Sequence, residues 1–233
     1  PVGKETKYKT LDGRYVERIK FDSMPEATKW VNEYKNVTNF EYFGNTRHQY
    51  PFIAEEFEGK IDWDMNQIKL LSIDIECESE NGFPSPEKAD QPLICITVKD
   101  HTTKKIIVFG MGNFVNDRED VQYINCVTET GLVETFTKFW VEYNPDIITG
   151  WNVKFFDIPY LMNRFRYLMG DDWLNQFSPW GVVEQRSAAV LFASREQQVW
   201  NIMGVDTLDY LDLYRKFTFV RRESYKLDYI GEV

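Results

Sequence analysis

The run from Lys69 to Glu76 restricts this chain more than any other stretch of it. Leu71, Ile73 and Ile75 alternate with Ser72, Asp74 and Glu76, and successive side chains of a β-strand point to opposite faces. A strand here commits one face to an apolar core and presents two carboxylates on the other. Their Cα atoms lie about 6.5 Å apart, two steps of ~3.3 Å. Two ionised carboxylates that close repel each other unless a cation sits between them. Both are oxygen ligands suited to Mg²⁺ or Mn²⁺. The plainer alternative is an edge strand with an acidic solvent face, which the flanking apolar residues make less attractive.

The pattern around this strand indicates an α/β fold with a mixed sheet. Apolar runs at 93–99 and 105–109, joined by a polar segment, predict an antiparallel pair. Leu132, Val133, Phe136, Phe139, Trp140 and Tyr143 recur at helical spacing, which predicts a helix over 131–143. A short strand at 146–150 and a second helix over 156–169 follow, with Pro159 tolerated near the helix start. Alternation across 182–206 around a polar centre at 193–198 predicts a β-hairpin. Residues 208–217 read as a helix and 225–233 as the start of another. Upstream, residues 1–66 look mixed and partly irregular, with one short helix over 25–34 carrying Pro25 in its first turn.

Charge sharpens the problem. The chain carries 27 Lys and Arg against 37 Asp and Glu, for a net charge of −10. Such acidity normally counts against a nucleic-acid partner, because phosphate binding is driven by Lys and Arg. Most of the excess lies in residues 55–90, with 3 basic and 11 acidic side chains, a window that contains Asp74 and Glu76. Several chemistries are excluded. No apolar run reaches the ~18–20 residues that span a bilayer, and the start lacks a signal core. The lack of an initiator Met suggests a processed or excised chain. The three cysteines form no Cys-x-x-Cys pair, and only His48 and His101 are present, so a disulfide framework, a His-rich zinc site and a Ser-His-Asp triad are all disfavoured. No Gly-rich phosphate loop occurs. What remains is carboxylate, hydroxyl and amide chemistry with a hard metal.

A second constellation runs from Thr149 to Tyr160. Asp157 falls where a loop becomes a helix, with Asn152 earlier in that loop. Asp157 as a helix N-cap is the ordinary reading; a third carboxylate for a metal cluster is the other. Two-metal phosphoryl chemistry needs carboxylates from separate elements around ions about 3.5–4 Å apart.

Together these segments resemble family B DNA polymerases. Ser72-Ile-Asp-Ile-Glu76 is similar to the first exonuclease motif of that family and Gly150-Trp-Asn-x-x-x-Phe-Asp-Ile-Pro-Tyr160 to the second. Ala27-Thr-Lys-Trp-Val31, Asn81-Gly-Phe-Pro-x-Pro86, Leu208-Asp-Tyr-Leu-Asp-Leu-Tyr-Arg-Lys-Phe217 and Ser224-Tyr-Lys-Leu-Asp-Tyr-Ile230 extend the likeness, in a pattern nearest the replicative enzymes of T-even phages. The resemblance implies an RNase H-like 3′→5′ proofreading exonuclease domain over residues 67–233, a mixed sheet flanked by helices with a hairpin insertion. Part of a small α+β N-terminal domain would precede it over residues 1–66. It implies two Mg²⁺ or Mn²⁺ ions held by Asp74, Glu76 and Asp157, the catalytic carboxylates. Asn152 and Phe156 would position the substrate end. Phe83 either stacks on a base of the frayed strand or plugs the core. The hairpin near 187–200 would correspond to a strand-separating element.

The family's third motif, Tyr-x-x-x-Asp on a later helix, has no counterpart in the expected place. Tyr225 and Asp228 are one residue too close, and Tyr8 with Asp12 precedes the first motif. Palm, fingers and thumb are not represented. The chain thus resembles the front of a polymerase, expected to be a weak or inactive nuclease alone. The expected partners are a single-stranded DNA 3′ end, primer–template DNA and the rest of the polymerase chain, in a host cytoplasm and without a membrane. The alternative is a non-catalytic nucleic-acid-binding or docking module of a split polymerase. Lys154, Arg186, Arg195, Arg215, Lys216, Arg221 and Arg222 are candidates to follow phosphates, against a background reading of ordinary surface charge.

Overall fold

The computed structural model describes residues 6–44, 49–60, 62–80, 82–190 and 196–232. His48, Asn81 and Arg195, each noted in the sequence, lie outside the described residues. The chain divides into two compact units, Pro1–Trp63 and Asp64–Val233.

The first unit is small and thinly covered. Strands β1 (Tyr8–Lys9) and β2 (Tyr15–Val16) pair antiparallel. Helix α1 (Met24–Tyr34) starts at Ser23, whose hydroxyl accepts the Glu26 N–H, with Pro25 in its first turn. Trp30 collects the rings of Phe21, Tyr34, Phe40 and Tyr42 at centroid distances of 4.7–6.2 Å. A further helix, α2 (Gln49–Glu56), was not evident from sequence because Pro51 interrupts its pattern. No described residue of this unit is buried.

The second unit is built on a six-stranded mixed sheet. Its strands are β3 (Leu70–Cys77), β4 (Leu93–Asp100), β5 (Ile106–Met111), β6 (Val121–Cys126), β7 (Ile147–Gly150) and β10 (Asp206–Asp209). The order is β10-β7-β3-β4-β5-β6. β3 pairs antiparallel with β4, and β4 pairs antiparallel with β5 as the polar segment between those two predicts. On its other side β3 pairs parallel with β7, and β7 parallel with β10. The carboxylate strand is therefore central, not an edge. The apolar half of β3 supplies Leu71, Ile73 and Ile75 to a core shared with Ile96, Val98, Phe109 and Ile148.

Helix α3 (Glu129–Tyr143) begins at Thr128, whose hydroxyl accepts the Gly131 N–H, and ends at Asn144 in the left-handed region. It buries Leu132, Val133, Phe136 and Trp140. At roughly 25 cal/mol per Å² of apolar surface, each such side chain stabilises the fold by about 1.5–3 kcal/mol. Helix α4 (Asp157–Met169) is buried from Asp157 to Phe165, and the short α5 (Asp171–Leu174) follows. Strands β8 (Val183–Ala189) and β9 (Glu196–Ile202) form the expected hairpin, with Val199, Trp200 and Ile202 turned inward; its tip at 191–195 lies outside the described residues. Helices α6 (Tyr210–Phe217) and α7 (Leu227–Glu232) close the chain.

One expectation needed correction, and one strand was not anticipated. Residues 208–209 belong to β10 rather than to the helix expected over 208–217. A four-residue strand that runs straight into a helix has no turn residue to announce it. β6 was missed because only Cys126 of its six residues is buried, so no apolar period appears. Among the described residues no helix is long and apolar enough to cross a membrane.

Candidate active site

Asp74 and Glu76 stand on the exposed face of β3, as the alternation dictates, while Ile73 and Ile75 are 3% and 6% exposed. The register with β4 shifts at Glu76 and Cys77, so regular pairing ends just where the carboxylates stand.

The loop from β7 to α4 reaches this face because Gly150 lets the backbones touch. A Cβ on Gly150 would lie 2.6 Å from the Ile73 carbonyl oxygen. Beyond it Asn152 adopts φ +64°, and its carbonyl accepts the N–H groups of Phe155 and Phe156 at 3.1 and 3.0 Å. This tight turn delivers Asp157 as the first residue of α4. The N-cap reading does not hold. The cap residue is Phe156, with no side-chain cap, and the Asp157 carboxyl instead accepts the Ile75 N–H of β3 at 3.2 Å. Asp157 is 4% exposed and is bound to the strand residue that lies between Asp74 and Glu76.

Burial, then the charge of Asp74, pushes the Asp157 carboxyl up to about 7. Asp74 is reached by solvent at its edge, yet desolvation followed by the Glu76 charge raises its pKa too. Among the described residues none of the three has an ion-pair partner. Lys154, expected beside the substrate, instead faces Asp212 of α6 at 3.9 Å and lies over the Phe155 ring. The donor set is all carboxylate oxygen, which suits a hard divalent cation, and among the described residues no cation pairs with it. Among the described residues no three His, Cys, Asp or Glu side chains converge into a metal-holding group, so Asp74, Glu76 and Asp157 form an open set.

Sequence reasoning missed the residue that braces this loop. Asp209, 4% exposed at the end of β10, accepts the N–H groups of Asn152 at 3.0 Å, Lys154 at 3.0 Å and Leu211 at 2.9 Å. Burial raises its pKa against the opposing pull of the Lys154 and Leu211 N–H groups. An Asp just ahead of a helical run was the available signal, and it reads only as a cap.

The opposite wall is the loop at 82–92. Phe83 does not plug the core: it is 86% exposed, its ring 5.4 Å from that of Phe156. Helix α4 holds the loop through three side chains. Tyr160 donates to the Gln91 carbonyl at 2.7 Å, Asn163 to that of Pro86 at 2.7 Å and Arg164 to that of Ala89 at 3.1 Å. Arg164 also makes a two-pronged pair with Glu129, both N–O distances 2.7 Å, and Glu129 accepts the Leu93 N–H. Phe83, Phe156, Asp157, Asp74 and Glu76 therefore belong to one region, with Asn152 contributing its backbone and Lys154 drawn aside to α6.

A central carboxylate strand, antiparallel neighbours on one side, two parallel strands on the other and a buried Asp entering from the adjacent loop define a nuclease-type α/β domain. Residues 19–230 match the family described as DNA polymerase family B, exonuclease domain, and the chain belongs to that family. Its fold is accordingly the RNase H-like one. It is 29% identical, over its whole length, to the DNA-directed DNA polymerase of Escherichia phage RB69. Over 98% of its length it is 28% identical to that of Enterobacteria phage T4. A DNA polymerase delta catalytic subunit of Caenorhabditis elegans is 36% identical over 43% of the chain and a tenth of its own length. The chain spans 28% of the length of each phage relative.

Proposed function

We propose that this chain carries the proofreading part of a DNA polymerase and hydrolyses the 3′-terminal phosphodiester of single-stranded DNA. One observation supports this above the others: Asp157, buried and raised by the charge of Asp74, is tied to the backbone between Asp74 and Glu76. That arrangement leaves uncompensated negative charge beside a solvent-reached face. Asp74, Glu76 and Asp157 would hold two Mg²⁺ or Mn²⁺ ions. When bound, such ions acidify the attacking water and stabilise charge on the phosphate. In the reaction a water oxygen bonds to the terminal phosphorus, the bond to the preceding 3′ oxygen breaks, and a nucleoside 5′-monophosphate leaves.

The chain's own residues handle the strand. Phe83 offers an exposed ring for the terminal base beside Phe156, a contact worth about 1–3 kcal/mol per base. The Asn152 turn sets where Phe156 and Asp157 stand. Primer–template DNA and the remaining polymerase segments are the partners this reading carries, and the host cytoplasm is the compartment for a phage enzyme. The open carboxylate set, with no Tyr-x-x-x-Asp motif in the expected place, makes the 233 residues a slow nuclease on their own.

The test is Mg²⁺-dependent release of mononucleotides from single-stranded DNA labelled at its 3′ end. Slow release that Asp74→Ala removes supports the proposal. No release under any divalent metal, with DNA binding intact, would leave the non-catalytic docking module as the reading.

A further inference from the structure

The end of α6 and the segment after it carry a surface that the carboxylate site does not use. Residues 215–222 include Arg215, Lys216, Arg221 and Arg222 and no acidic side chain, in a chain of net charge −10. Among the described residues none of the four faces a carboxylate, whereas Arg14, Arg18, Arg118, Arg164 and Arg166 each do. Three are held by aromatic groups instead, Lys216 with its Nζ 5.5 Å from the Phe217 ring centroid. The Arg215 guanidinium lies 4.5 Å from the Tyr225 ring centroid, and Arg222 donates to the Tyr214 hydroxyl at 3.2 Å. Between the two basic pairs stand Phe217, 66% exposed, and Phe219, 96% exposed.

Cations with no carboxylate partner beside exposed aromatic rings offer what a single strand needs: charge for the phosphates and flat faces for the bases. A protein-docking face covering the same rings would have to neutralise four cations; a phosphate chain does so by its nature. The segment is also structurally joined to the site. Helix α6 starts from Asp209, which binds the Asn152 and Lys154 N–H groups. Trp151 of that same loop packs on Tyr210 and Tyr214 at 6.0 and 5.7 Å.

We propose that residues 215–222 form a second, sequence-independent contact for single-stranded DNA, separate from the carboxylates that act on its 3′ end. The inference rests on the reading above only for the identity of the strand. Phosphates pair with Arg221, Arg222 and Lys216, and bases stack on Phe217 and Phe219. This contact needs no divalent metal, which is how a chain so acidic holds a polyanion.

The test is fluorescence anisotropy of a labelled 16-nucleotide oligothymidine with the 233-residue chain in EDTA, where cleavage cannot interfere. Phe219→Ala is expected to weaken binding by at least about fivefold, the low end of one lost base stack. Arg221→Gln with Arg222→Gln is expected to lower the slope of log affinity against log salt by about 1.4, since each single-strand phosphate contact contributes ~0.7. These side chains are exposed or half-exposed, so the thermal midpoint should not move. Wild-type affinity and salt slope in both variants overturn the proposal, as does failure of the unaltered chain to bind the oligonucleotide. Variants that bind DNA normally but no longer associate with the remaining polymerase chain would instead make this a docking face. The two readings fail separately. Asp74-dependent cleavage with no effect of these variants sinks only this contact, and metal-free binding through the segment without any cleavage sinks only the nuclease.

Discussion

Strands β7 and β10 lie side by side, parallel, and each leads into a helix at a buried aspartate. Asp157 and Asp209 are both 4% exposed, and burial raises the pKa of both. Their surroundings differ. Asp209 is saturated by three backbone N–H groups from two elements, so its charge is spent on holding the chain. Asp157 receives one N–H from a neighbouring strand besides its own, and meets the charge of Asp74 and, more weakly, of Asp209. Burial alone therefore does not mark a functional carboxylate. What separates the two is how many backbone N–H groups each accepts from other residues, since each also meets a like charge, Asp74 beside Asp157 and Asp212 beside Asp209.

The comparison breaks most sharply at Asp157. Asp157→Asn keeps an oxygen that can accept the Ile75 N–H but removes the charge, so cleavage of single-stranded DNA should drop by ~10³-fold or to background while folding survives. Single-turnover nucleotide release with a parallel melting curve reads both. Retained activity would make Asp157 a second brace like Asp209.

Asp209→Ala should act the other way, on stability first. Three N–H groups, that of Leu211 buried and those of Asn152 and Lys154 part-buried, lose their acceptor, at about 1 kcal/mol each. The expected loss is ~3 kcal/mol, a fall of roughly 6–12 °C in Tm. Asp209→Asn should lose less, because one acceptor oxygen remains. Denaturant titration of both variants ranks them.

Proton linkage separates the two junctions again. The folded pKa of Asp157, about 7, exceeds its ordinary 3.8, so the native state binds this proton more tightly than the unfolded one. Its contribution to stability is full below about pH 4 and is lost as pH rises through 7. In metal-free protein the stability curve should therefore decline across that window by up to ~1.4 kcal/mol per pH unit. Millimolar Mg²⁺ or Asp157→Asn should flatten the decline. A decline untouched by either would assign it to Asp209, whose pKa burial also raises.

The smallest effect belongs to the opposite wall. Phe83→Ala removes an exposed ring, so stability should stay within about 0.5 kcal/mol. KM for single-stranded DNA should rise several-fold with kcat little changed. A matching fall in Tm would mean the ring supports the Phe156 side of the loop rather than the substrate.

The first of these junctions was partly legible and the second was not. Asp74 and Glu76 follow from alternation alone, because a strand with Leu71, Ile73 and Ile75 on one face leaves its other residues nowhere else to point. Helix α3 was legible for the same kind of reason, its apolar residues returning at helical spacing. Asp157 was visible as a residue at a loop–helix boundary, which fits a cap as well as a ligand; only the 3.2 Å bond to Ile75 across the sheet decides between them. Asp209 left almost no trace, since its three partners are backbone groups, and backbone N–H groups have no signature in side-chain order. Phe83 could not be assigned from sequence because a Phe in a Gly-Phe-Pro loop is equally at home in a core and in solvent.

The amino-acid order by itself determined the α/β class, the carboxylate strand though not its central place in the sheet, the two principal helices and the hairpin. Each depends on a local period that apolar side chains impose when one face must leave water. Tertiary structure alone decided that β10 exists beside β7, that Asp209 braces the loop carrying Asp157, and that Lys154 turns to Asp212 rather than to the carboxylates. Those outcomes depend on contacts between residues tens of positions apart, where hydrogen-bond geometry and shared burial, not local pattern, set which charge is neutralised and which is left for a ligand.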